Sequence, residues 1–207
     1  MMTEANPNSR LEMFSDGVFA IAITLLIIEI KVPALHLMHS NGDVWNATLH
    51  LWPSFFALFL SFTLIFISWY GHHSLFGALD KTSNPFHFAS GFFLLTVVIL
   101  PFPTAFMAEY LNTPYAQPPI VFYCFCCLVH NLGWRLLLTS TQKPVQLAKT
   151  ESHVQKVNEA LKSNGVGAIA SVAILVLAWW LPYLALILNL MLWSYWIFVS
   201  AKVKKEV

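Results

Sequence analysis

The chain has 207 residues, of which 57% are hydrophobic and only 10% charged, with 17 Phe and 8 Trp. Soluble domains carry about a quarter charged residues, so a water-soluble fold has no place for this much apolar surface. A formal net charge of +1 also excludes a nucleic-acid partner, because neutralising several phosphates requires a clustered basic excess.

A membrane-spanning helix needs about 20 mostly apolar residues. Six such runs are predicted, over 14–30, 49–70, 86–108, 119–138, 165–181 and 182–201, in one all-α integral membrane domain over residues 1–207 without internal repeat. The first run is flanked by Glu12 and Asp16, runs past Glu29 and lacks a small-residue cleavage site before Lys31, so it reads as a retained span rather than a signal peptide. It carries its polar residues at its ends, and an ionisable residue at the edge of a span is costly unless partnered. For Asp16 the candidate partners are Arg10 and the set Trp69, His72 and His73 at the end of the second run. At about 100° per residue, Ile21, Thr24, Leu25 and Ile28 share one face, while Asp16 projects roughly 140° from Ile21. Asp16 therefore points into its own subunit, and the Ile21 face is left to meet lipid, neighbouring helices or another partner.

Further along, Cys124, Cys126 and Cys127 read as small buried hydrophobes, neither metal ligands nor a disulfide. His36 and His39 lack a third ligand, so no metal site is assigned. Between the fourth and fifth runs, the spacing of Val145, Ala148, Val154, Val157 and Leu161 predicts a short amphipathic helix. The last two runs abut, and Trp180, Pro182 and Tyr183 are expected to form a tight hairpin at one membrane surface. Six spans place both termini on one side, together with Arg10, Lys81, Arg135, Lys143, Lys149, Lys156, Lys162, Lys202, Lys204 and Lys205. Only Lys31 of the 11 basic residues falls on the other side, so both termini are predicted to be cytoplasmic.

Three segments carry a family resemblance. Arg10-x-x-x-Phe14-Ser15-Asp16, followed by Gly-Val-Phe-Ala-Ile-Ala-Ile-Thr-Leu-Leu, closely resembles the signature of the bacterial branch of the transmembrane protein 175 family, a family of potassium channels. Trp69-x-x-His72-His73-x-Leu75-Phe76 and Leu100-Pro101-Phe102-Pro103-Thr104-Ala105 resemble that family's second and third helices. One departure is visible: Ala89 and Ser90 stand near the place where the resemblance expects an Asn, and Asn84 lies upstream. The resemblance implies a homotetramer in a cell membrane, with a central pore lined by the first helix of each subunit. It implies hydrophobic rings of Ile21, Leu25 and Ile28 as constriction and gate, with Thr24 as a polar ring beside them. Arg10, Phe14, Ser15 and Asp16, with Trp69 and His73, are implied to anchor the pore helix. Glu29 lies at the outer mouth, where four copies would concentrate cations unless each simply pairs with Lys31. No cofactor is expected beyond the permeant potassium ions, and the partners are further copies of the chain and the bilayer. No convergent acid pair or nucleophile marks an enzyme. A secondary transporter or an inert scaffold are the alternatives, although neither repeats nor broken helices point to a transporter.

Overall fold

The computed structural model describes residues 8–143 and 145–203; Lys204 and Lys205 lie outside the described residues. The chain is a bundle of α-helices: α1 Ser9–Ile28, α2 Asn41–Leu49, α3 Trp52–Gly77, α4 Asn84–Ile99, α5 Pro101–Tyr110, α6 Gln117–Ser140, α7 Glu151–Ala178 and α8 Pro182–Val203. Five stretches are long and apolar enough to cross a membrane: α1, α2 with α3, α4 with α5, α6, and α7. The apolar part of α8, Pro182–Phe198, is somewhat shorter.

Helix starts follow from local chemistry. Ser40, Ser83 and Thr150 each sit in extended backbone and accept a hydrogen bond from a backbone N–H in the first turn, of Asp43, Phe86 and His153. Pro occupies the first turn of α3, α4 and α6, where its missing N–H costs nothing.

Three elements differ from the sequence expectation, and the first is the short helix α2, which lies ahead of the second run. The run over 86–108 is a helix broken after Ile99, because Pro101 and Pro103 lack the N–H groups that Val97 and Ile99 carbonyls would otherwise receive. Leu100 keeps helical angles, and its N–H bonds to the Val97 carbonyl at 3.2 Å, so the break is a kink rather than a turn. The amphipathic segment before the fifth run is no separate helix. Capped by Thr150, it continues without a breaker into α7, and Val145 and Ala148 lie ahead of the cap.

Inside the bundle, Phe19, Phe76, Phe86, Phe93 and Tyr123 are the largest fully buried side chains. With lipid rather than water as the alternative surroundings, these rings hold the helices together by close packing rather than by escape from water. Several polar groups within this core pair with one another. Thr104 donates to the Leu100 carbonyl at 2.7 Å, so its oxygen accepts from Ser61 at 2.6 Å, and Ser61 in turn accepts from Tyr123 at 3.0 Å. This chain of hydroxyls ties α3, α5 and α6 together at the kink. His130 of α6 lies between Ser68 of α3 at 2.7 Å and Thr96 of α4 at 2.9 Å.

At the end of the bundle where α3 stops, the loop after α6 folds back onto it. The Lys149 ammonium donates to the Gly77 carbonyl at 2.8 Å, the Lys149 N–H to Ala78 at 3.0 Å, and the Asp80 N–H to Leu147 at 3.0 Å. Asn8 adds a side-chain bond to the Leu79 carbonyl at 3.3 Å. The last carbonyls of α3, unsatisfied within any helix, thus find donors from two distant segments.

Candidate functional site

The first helix has two unlike sides. One side is held by α3, α4 and α5 and buries Ser15, Phe19, Ala22 and Leu26. The other is bare: only 22% of the most apolar stretch of α1 is buried, against 50% for the α4–α5 pair. Ile21 is 61% exposed, Leu25 39% and Ile28 70%. Phe14 at 62% and the exposed Gly17 continue the same stripe. The positions Phe14, Gly17, Ile21, Thr24 and Ile28 alternate in steps of three and four, a repeat of 3.5 that is characteristic of helices packed around a shared axis.

Thr24 lies within this stripe. Its hydroxyl donates back to the carbonyls of Ala20 at 3.0 Å and Ile21 at 2.9 Å. Its single proton is thereby committed to the helix, and the lone pairs remain for whatever faces α1. The group is an acceptor only, suited to a cation or to the hydrogens of water.

On the anchored side, α1 and α3 run antiparallel with two matching pairs four residues apart. Trp69 donates its indole N–H to the Asp16 carboxylate at 2.9 Å. One turn further along, the His73 ring and the Glu12 carboxylate meet at 3.1 Å. The Trp69 and His73 rings stack with centroids 6.0 Å apart. Side chains four apart on a helix lie one above the other, so Glu12/Asp16 and Trp69/His73 meet as a two-rung ladder.

The structure thus brings Asp16 and Trp69 into contact and places His73 beside them, bonded to Glu12 rather than to Asp16. Arg10 is exposed and makes no bond to Asp16: six residues of helix turn it about 120° from the carboxylate. Ser15 is buried and donates to the Leu11 carbonyl of its own helix at 2.8 Å. Phe14 belongs to the bare stripe. Glu29 is exposed just beyond the far end of α1, and Lys31 is exposed two residues on. The matching spacing of Glu12 and Asp16 with Trp69 and His73 was the signal by which Glu12 could have been found. The inward-facing imidazole of α3 is His72, which is fully buried against aromatic rings.

These features define a multi-pass α-helical membrane protein whose first helix is anchored on one side by a polar ladder and bare on the other. A family model described as the endosomal/lysosomal potassium channel TMEM175 matches residues 10–101. A potassium channel of Chamaesiphon minutus is 40% identical over 149 residues, covering 70% of this chain and 73% of the relative. One from Streptomyces collinus is 34% identical over 166 residues, covering 77% and 79%. The crystal structure of a lysosomal potassium-selective channel TMEM175 homologue from Chamaesiphon minutus superposes with a TM-score of 0.84 at 31% identity, covering 95% of this chain and 99% of that one. The chain belongs to the TMEM175 family. This is a family of ion channels, not of enzymes.

Proposed function

We propose that the chain is a potassium-permeable channel in which four copies surround an axis and α1 of each copy lines the pore. The observation that carries this reading is the bare stripe of α1. A helix with one side locked to its own subunit and a 3.5-residue apolar repeat on the other is built to meet copies of itself. One such helix cannot enclose a pathway alone. The relatives described as potassium channels support the same reading.

In this arrangement Ile21, Leu25 and Ile28 form successive apolar rings. A tight apolar ring expels water, and an ion that sheds its hydration there meets no compensating ligand, so Ile21 acts as the gate. Potassium gives up its water more cheaply than sodium. The four acceptor oxygens of Thr24 favour cations and replace part of the lost hydration. Glu29, replicated four times at the outer mouth, raises the local cation concentration. Arg10, Asp16, Trp69 and His73 lie at the opposite, cytoplasmic end; the ladder formed by the last three with Glu12 keeps α1 from rotating about its axis. Both termini are cytoplasmic and the chain resides in a cell membrane, in keeping with the one-sided distribution of Lys and Arg.

Among the described residues, the kink at Pro101 is the one feature that suits a transporter. The hydroxyls around it are already bonded to each other and to Leu100, and they present no open site for a substrate.

The test is ion flux from liposomes under a potassium and then a sodium gradient, with wild type compared with Ile21→Asn. Faster potassium than sodium flux in wild type, with a marked change of rate or selectivity in the variant, is expected. No potassium flux from either inserted, folded protein would refute the channel.

A further inference from the structure

His72 is fully buried, and neither of its ring nitrogens has a hydrogen-bond partner among the described residues. A buried polar group left this way is a net cost, and natural structures rarely keep one. Rings hold it instead. Phe76 of its own helix lies 4.4 Å from it, centroid to centroid, Phe19 of α1 meets it edge-on at 5.4 Å, and Phe93 of α4 stacks at 6.0 Å with planes 12° apart. Phe19 and Phe93 also touch each other at 6.1 Å. The imidazole therefore sits at the joint where α1, α3 and α4 meet, about one turn from the Asp16–Trp69 bond.

We propose that His72 is a positioning residue of the pore helix, and that protonating it loosens α1 and reduces conduction. The inference rests on the channel reading above. A neutral ring is suited to this cage, since aromatic neighbours satisfy its faces and edges. An imidazolium is less so: it brings a second N–H donor and a full charge to a ring whose nitrogens have no hydrogen-bond partner among the described residues, a cost that attraction to the aromatic faces offsets only in part. The charged and titratable groups acting on it are Asp16 from α1 and the adjacent His73 on its own helix. From α4 it faces Phe93, behind which lies His130 of α6, with ring centroids 5.0 Å apart; His87, further along α4, is exposed. The available counter-charge is thus Asp16, which already holds Trp69. A protonated His72 either leaves the cage or draws Asp16 from the indole. Each response removes a contact that fixes α1, and the rings at Ile21, Leu25 and Ile28 lose their register.

The experiment records potassium current in planar bilayers with the pH of both sides lowered together from 7.5 to 5.5. Wild-type current is expected to fall at least threefold. His72→Phe, which keeps the ring and removes the titration, should match wild type at pH 7.5 and lose most of the fall; His73→Gln should retain it. His72→Leu serves if the Phe variant does not fold. A wild-type current independent of pH, or the same fall in His72→Phe, overturns the proposal. The thermal midpoint of the detergent-solubilised protein is a second readout that needs no conduction. Acid should lower it in wild type and lower it less in His72→Phe, and equal shifts overturn the positioning role of His72. Absence of current from wild type at every pH refutes the channel reading, and the positioning role of His72 is then judged on the thermal midpoint alone.

Discussion

Replacing Trp69 by Phe removes one hydrogen bond and part of the indole's packing against the core, and the double-mutant cycle separates the two. The Phe ring can still stack on Phe66 and His73, the neighbours of the indole at 5.8 and 6.0 Å. What disappears is the N–H donated at 2.9 Å to a carboxylate that is itself half-buried. Hydrogen bonds to charged groups contribute about 1.5–3 kcal/mol net, and the partial exposure of Asp16 places this one near the lower end, about 1.5 kcal/mol per subunit. The measurement is a double-mutant cycle of Trp69→Phe, Asp16→Ala and the pair, read as the midpoint of unfolding by SDS in mixed micelles. The double variant should be less destabilised than the sum of the singles by about 1.5 kcal/mol. A coupling below about 0.5 kcal/mol, the value of an ordinary surface pair, would refute the view that this bond anchors α1.

Two further outcomes are expected. Thr24→Val keeps the shape of the side chain and removes its acceptor oxygen, so the potassium-over-sodium permeability ratio, from reversal potentials under bi-ionic conditions, should fall at least threefold while current persists; an unchanged ratio removes Thr24 from selectivity. Ser61→Ala leaves the buried Tyr123 hydroxyl without its acceptor and should cost roughly 1–3 kcal/mol in the same unfolding assay. Adding Tyr123→Phe should restore part of that loss, and a stable single variant would show that the hydroxyl chain does not hold the kink together.

The apolar runs alone made the helical membrane class legible, and the three-and-four spacing from Ile21 to Ile28 is readable because helix periodicity needs no tertiary information. Asp16 could be turned away from Ile21 on the same ground, and Trp69 lay within the small set of polar residues that an inward carboxylate can reach. Choosing between His72 and His73 was harder. Adjacent residues on a helix differ by about 100°, so deciding which imidazole meets α1's carboxylates requires the rotation of α3, which packing sets. Glu12 lies before the apolar run, so hydropathy does not single it out, although it stands four residues from Asp16. The pairing of Ser61 with Thr104 and Tyr123, and of His130 with Ser68 and Thr96, joins positions 34 to 62 residues apart or more closely spaced only by the fold, and single Ser, Thr and His residues inside apolar runs do not announce their partners. The kink at Pro101 is legible in the segment Leu100–Ala105, whose two prolines deny α4 two backbone bonds.

The clamp on the end of α3 bears on how the chain is made. Ribosomes deliver a chain from its N-terminus, so α1 and α3 enter the bilayer while Lys149 is still unsynthesised. Until that lysine arrives, 72 residues after Gly77, the carbonyls of Gly77 and Ala78 have only water or headgroups for company. The half of the protein that carries the bare stripe therefore completes its own fastening last, and it does so under the control of the half that does not carry it.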